Sequence, residues 1–173
     1  MPLSLLEEVR QVVTPTLGAG QVTLSVQAGP DLPPLLADRG QLVTVLINLV
    51  LNARDAMPQG GRLVMSARLA GAGDPPPDAA DPSRAALPEL SQRQFIRLDV
   101  TDTGLGMDSE TLARATEPFF TTKPPGQGTG LGLAMAFSFA GQSGGALAIR
   151  SQPGQGTTVS LWLPSTRMDS PLA

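Results

Sequence analysis

A chain of 173 residues, 41% hydrophobic and 16% charged, is long enough for one domain with a sizeable core, too short for two full ones, and neither disordered nor fibrous in composition. A net charge of -3 and a sequence pI near 4.8 supply no basic stripe for a phosphate backbone, so nucleic acid is not an expected partner. The absence of both cysteine and histidine removes disulfides, thiolate metal sites and imidazole chemistry, leaving Asp, Glu, Asn, Lys, Arg and main chain as the working groups.

No stretch approaches the ~20 apolar residues of a membrane span, and Met1 opens no signal-peptide pattern. A cytoplasmic location is expected, whether or not a parent protein is membrane-anchored. Leu5, Leu6, Val9, Val12 and Val13 recur at helical spacing and predict a helix from Leu3 to about Leu17, the end of a connecting helix (1–18) that enters from an upstream segment. Val22 to Gln27 alternates apolar and polar residues like a half-buried strand, and the turn-forming run Gly29 to Pro34 follows. Asp38 stands at an N-cap position, and Arg39 to Met57 predicts a long amphipathic helix ended by Pro58 and Gly60-Gly61.

Arg62 to Leu69 and Phe95 to Asp102 read as strands. The segment 70–92 between them holds Pro75, Pro76, Pro77, Pro82 and Pro88 and is expected to be a disordered insert. A short helix from Ser109 to about Thr116 precedes a glycine-rich segment, and Leu131 to about Gln142 predicts another helix, closed by Gly144-Gly145. Ala146 to Ser151 and Thr157 to Leu163 complete the strands, joined by a Pro-Gly-Gln-Gly turn, and the tail 165–173 carries no pattern and is expected to be disordered. Five strands and about four helices without strict alternation predict an α+β domain over 19–164.

Three stretches carry chemistry. On the long helix, Leu42, Leu46, Leu49, Ala53 and Ala56 fall at core spacing, while Gln41, Asn48, Asn52 and Asp55 share another face. Either that face is merely solvated or an Asn carbonyl oxygen helps hold Mg2+, a cation that prefers oxygen ligands and shares them with phosphates. Asp102-Thr103-Gly104-Leu105-Gly106-Met107 lies where a strand ends: it reads as a plain Asp-Gly turn, or as a carboxylate for a base's amino group beside glycines that let main chain approach a flat ring. Glu117 to Lys123 runs into Gly128-Thr129-Gly130-Leu131-Gly132, whose main-chain N–H groups, with the following helix's positive end, could face phosphate oxygens. Lys123 is the one lysine of the chain, and Phe119-Phe120 also suits core packing.

The ordered set resembles the ATPase superfamily that joins DNA gyrase, a heat-shock chaperone, mismatch-repair ATPases and histidine kinases, and within it the sensor histidine kinases. Asn48 to Met57 resembles the asparagine box, Asp102 to Met107 the first glycine box, Glu117 to Lys123 the phenylalanine box, Gly128 to Gly132 the second glycine box, and Gly154 to Val159 the closing glycine-threonine element. The resemblance implies the Bergerat ATP-binding fold, a two-layer sandwich in which about three helices cover one face of a mixed five-stranded sheet. It implies ATP and Mg2+ as cofactors, with Asn52 the magnesium ligand, Asn48 beside it, Asp102 on the adenine amino group and Thr157 near the base through water. Gly104, Gly106, Met107, Gly128, Thr129, Gly130, Leu131 and Gly132 would shape the pocket. The stretch Thr116 to Gly130, with Phe120 and Thr122, would be its lid, and Lys123 would meet the terminal phosphate. Where many members carry a basic residue, three places after the magnesium Asn, this chain has Asp55, with Arg54 a substitute one place earlier.

Gyrase-like members place a Glu, the base that activates water, where this chain has Asn48. An amide cannot take that proton, so transfer to another protein's nucleophile is expected rather than hydrolysis. The implied activity is a protein-histidine kinase whose acceptor histidine lies in a dimerisation domain outside the chain, with a response-regulator receiver domain next in line. The parent is expected to be a homodimer and the chain alone a monomer. Two other readings share the motifs: a catalytically inactive module that binds nucleotide or docks a regulator, and a serine kinase of the anti-sigma-factor type.

Overall fold

The computed structural model describes residues 1–18, 21–71, 73–74, 76 and 93–166. Helix α1 (Pro2–Val13) begins with proline in its first turn, where a missing N–H costs nothing, and buries Leu5, Leu6, Val9 and Val13. It stops four residues short of the expected Leu17: Pro15 offers no N–H to the helical ladder, and Thr14–Thr16 tighten into a 3-10 turn. Strand β1 (Val22–Ala28) follows, then α2 (Arg39–Asp55), whose Asp38 N-cap accepts a hydrogen bond from the Gln41 N–H at 2.7 Å. Strand β2 (Gly61–Leu69) and strand β3 (Phe95–Asp102) bracket the insert, α3 (Ser109–Arg114) is capped by Asp108, and α4 (Gly132–Gln142), β4 (Ala146–Ser151) and β5 (Thr157–Pro164) end the series.

The five strands form one sheet in the order β1-β2-β3-β5-β4. β1 and β2 run parallel, because α2 crosses over between them, and all other neighbours are antiparallel, so the sheet is mixed. Register puts Asp102 at the end of β3, opposite Leu63 on one side and Thr157 on the other. One face of the sheet, with Leu63, Met65, Ile96, Leu98, Leu161 and Leu163, packs in a single core with α1, α2 and α4. α2 lies at its centre: Leu42, Leu46, Leu49 and Ala53 are buried as their spacing predicted, whereas Ala56 is only half-buried because the helix has already ended there.

The other face carries a charged cluster. Arg97 Nε donates to Asp99 Oδ1 at 2.8 Å, its Nη1 to Asp74 Oδ1 at 2.6 Å, and its Nη2 to Ser160 Oγ at 3.1 Å, while its guanidinium lies 4.9 Å from the Trp162 ring centre. Arg68 also pairs with Asp74 at 2.5 Å. Asp74 belongs to the expected insert, so the start of that segment is fastened to the sheet; residues 72, 75 and 77–92 lie outside the described residues. Of the expected tail, Ser165 N–H bonds to the Gln94 carbonyl and Thr166 N–H to the Pro34 carbonyl, and residues 167–173 lie outside the described residues. Among the described residues no helix is long and apolar enough to cross a membrane.

Candidate functional site

A cleft of about 1640 Å³ runs between α2 and the segment that joins α3 to α4. Every residue expected at the site lines it except Gly104. A smaller cleft of about 540 Å³, between α2 and α4, has no charged side chain on its walls, so the chemistry belongs to the larger one.

One wall is knitted from main chain. Asp102 is only 7% exposed, and the Gly104 N–H donates to its Oδ1 at 2.8 Å. Burial pushes its carboxyl above the ordinary carboxylate value, with the N–H groups of Gly104 and Thr157 opposing that shift in part. Gly104 therefore acts from behind, supporting the carboxylate instead of facing the cleft. The loop leans on the end of α2 through a 2.9 Å bond from the Leu105 N–H to the Ala56 carbonyl. Gly106 has φ +68, and a β-carbon there would lie 1.9 Å from the Gln152 carbonyl oxygen, so only glycine fits.

Ser151, which sequence reasoning passed over, ties this wall together. Its Oγ accepts from the Met107 N–H at 2.8 Å, sits 3.0 Å from the Gly156 carbonyl and lies 2.7 Å from Thr157 Oγ1. The signal in the sequence was a serine ending a strand next to a glycine turn, which is too common to stand out.

The floor is α2. Asn48 and Asn52 are half-buried, and among the described residues neither amide has a hydrogen-bond partner. The first turn of α4 opens beside Asn52: a β-carbon on Gly132 would lie 3.1 Å from its Nδ2. No group of three or more acidic or other metal-binding side chains gathers among the described residues. The donor set is therefore amide oxygen without a carboxylate cage, which suits a hard cation that brings phosphate and water ligands with it.

At the last turn of α2, Asp55 stands between two cations. Lys123 Nζ donates to its Oδ2 at 2.5 Å, and Arg54 donates to its Oδ1 from Nη2 at 2.7 Å and from Nε at 3.0 Å. Burial alone would raise the Asp55 carboxyl; hydrogen bonds and charge from Lys123 and Arg54 outweigh it and hold the carboxyl below its usual value. Arg54 also reaches the Thr16 carbonyl at 3.4 Å. Both basic residues expected at phosphate are thus engaged with Asp55.

The segment expected to form the lid has a pinched base. The Phe119 N–H bonds to the Gly130 carbonyl at 2.9 Å, and a β-carbon on Gly130, with φ +66, would lie 2.4 Å from the Phe119 carbonyl carbon. Phe119 itself has φ +65 and is 76% exposed, and Phe120 is half-buried under the Arg114 guanidinium at 4.3 Å, so neither ring is a core residue as its type suggested. Thr122, Gly128 and Thr129 lie along the lid, and the Leu131 N–H donates to Thr129 Oγ1 at 3.3 Å.

This constellation is matched over residues 37–167 by the family described as histidine kinase-, DNA gyrase B-, and HSP90-like ATPase. The chain belongs to that family. It is 38% identical over 160 residues to the sensor kinase CckA of Brucella abortus, covering 92% of this chain and 16% of that protein. It is 34% identical over 161 residues to the sensor histidine kinase ZraS of Escherichia coli, covering 93% of this chain and 30% of that protein. Among solved structures, the catalytic domain of histidine kinase ThkA superposes with a TM-score of 0.71 over 95% of this chain and 94% of that one. At 22% identity that likeness speaks for the fold. Full-length ShkA in complex with AMPPNP matches with a TM-score of 0.73 and 26% identity, over 99% of this chain and 32% of that one. The chain thus spans under a third of the length of these two sensor kinases and nearly all of the ThkA catalytic domain, whose fold it shares.

Proposed function

We propose that this domain binds Mg-ATP in the larger cleft and delivers its terminal phosphoryl group to a histidine on a dimerisation domain. The bond from the terminal phosphorus to the bridging oxygen breaks, a bond to an imidazole nitrogen forms, ADP leaves, and the imidazole proton passes to solvent. The observation that carries this reading is that the Asp102 carboxylate and the amides of Asn48 and Asn52 line one cleft. A buried carboxylate accepts hydrogen bonds and donates none, which suits the adenine amino group. Full-length ShkA, which resembles this chain, was solved with AMPPNP, an adenine nucleotide.

In this reading Asn52, with Asn48 beside it, would hold Mg2+, which supplies charge neutralisation at the phosphates. The α4 N-terminus and the glycines at 128, 130 and 132 offer N–H groups to the same phosphates. Gly106, Met107 and Thr157 border the base, and the lid from Thr116 to Gly130 shuts out water. Asn48 offers no base to activate water, which favours transfer over hydrolysis. The chain contains no histidine, so the acceptor is another domain, and a receiver domain of a response regulator is the next acceptor. The parent is read as a homodimer, with this domain alone monomeric, in the cytoplasm.

Mixing the domain with a separately produced, histidine-bearing dimerisation domain and terminally labelled ATP tests the proposal. Label that enters the second domain and is lost in acid but kept in alkali is expected. No transfer, or an acid-stable product, would overturn it and leave the nucleotide-holding or serine-kinase readings.

A further inference from the structure

The lid has one charged tether. Between residues 121 and 129, side-chain and main-chain hydrogen bonds stay within the segment or reach its neighbour Leu131, with a single exception among the described residues: Lys123 to Asp55. That bond spans 68 positions of sequence and fastens the tip of the lid to the last turn of α2. Its partners are each about one-third exposed, at 31% for Lys123 and 32% for Asp55. Ion pairs so wetted contribute little net stability and exchange partners readily.

The arrangement around Asp55 suits an exchange. Each carboxylate oxygen has its own cation, Lys123 on Oδ2 and Arg54 on Oδ1. If Lys123 leaves, Arg54 stays, so no bare carboxylate is left beside an incoming phosphate. The three side chains sum to a single positive charge. That is modest for a site that must receive a polyphosphate, and it rises to two once the Asp55 charge is removed.

We infer that Asp55 is a positioning residue: it parks Lys123 over the cleft by an ion pair that the terminal phosphate of ATP replaces, and so sets how strongly the domain prefers the triphosphate to the diphosphate. This rests on the reading of the cleft as an ATP site. ADP lacks the group that would draw Lys123 away, leaving the Lys123–Asp55 pair intact, whereas ATP must compete with Asp55 for the same ammonium. Asp55 thus weakens ATP binding while keeping the lid folded over the cleft in the nucleotide-free state. The lowered carboxyl of Asp55 agrees with a group that is ionised throughout.

Two readouts on the full 173-residue chain test it. In the nucleotide-free protein, Asp55→Asn should speed chymotryptic cutting after Phe119 and Phe120 several-fold, and Asp55→Glu should restore the slow rate. In titrations, Asp55→Asn should tighten ATP by about two- to fivefold, the reach of an exposed ion pair, and leave ADP unchanged. The gain should vanish when Lys123→Met is also present. An unchanged cutting rate, an equal shift for both nucleotides, or a gain of the same size in the Lys123→Met background would overturn the inference, the last by reducing Asp55 to simple charge repulsion. If no protein binds nucleotide at all, the functional reading fails, and the latch still stands or falls on the nucleotide-free cutting rate.

Discussion

The two walls of the cleft hold their charged groups in contrasting ways. Asp102 is buried at the end of β3, braced by the Gly104 N–H, paired in register with Thr157, and backed by the Ser151 hub that joins β4, β5 and the first glycine loop. Lys123 sits on a lid closed at its base by one main-chain bond and tethered at its tip by one half-wetted ion pair. The first is prepaid: its geometry exists before any ligand arrives, and a base either fits it or does not. The second is partly exposed, and in the proposed reading it exchanges its partner for a phosphate. A recognition site can thus divide into a fixed half that selects and a loose half that responds, with burial deciding which charge does which.

The sharpest way to break that contrast is to remove the fixed charge. Asp102→Ala should weaken ATP binding by about 1.5 to 3 kcal/mol, roughly ten- to a hundredfold by calorimetry, the range for a hydrogen bond to a charged group. Chymotryptic cutting of the lid in the nucleotide-free protein should stay as it was, since among the described residues no hydrogen bond or ion pair joins Asp102 to that segment. Altered cutting would mean that the two walls are one coupled unit.

A smaller effect should appear in stability. Burial raises the Asp102 carboxyl above 3.8 in the folded protein, so the native state binds that proton more tightly than the unfolded chain does. The resulting stability is fullest below that value and is lost as pH rises through the folded pKa. Asp102→Asn keeps an acceptor for Gly104 but carries no charge to desolvate. Its Tm without nucleotide should exceed that of the natural protein at neutral pH, with the gap closing toward about pH 4 and below. A gap that persists in acid, or an Asn variant that melts lower at neutral pH, would show that the carboxylate is not held against its own hydration.

Much of this was legible in the residues, for physical reasons that also explain what was not. The α2 helix reads plainly because its cap, its apolar spacing and its Pro-Gly stop are all local, and local rules place Asn48, Asn52 and Asp55 on one face. The order of the motifs brought the family into view, and the sheet followed from it. Pairings across distance stayed hidden. Nothing near Asp55 in sequence announces Lys123, and a residue counted as a departure from the family's pattern is the hub that joins Arg54 and Lys123. Ser151 acts through bonds to a loop 44 positions earlier. Asp74 sits in a stretch whose prolines and small residues suggested no structure, yet two arginines on a strand face pin it to the sheet. Phe119 has the composition of a core residue, but its positive φ at the lid base turns the ring outward.

The central claim is that Asp102 selects the base, and competition between nucleotides measures this most directly. Titrating the natural domain with ATP and with GTP, magnesium in excess, compares an amino group with a carbonyl oxygen at the atom facing that carboxylate. The account predicts that ATP binds at least about tenfold more tightly, because guanine would set one acceptor against another in a buried site. Equal affinities would contradict it.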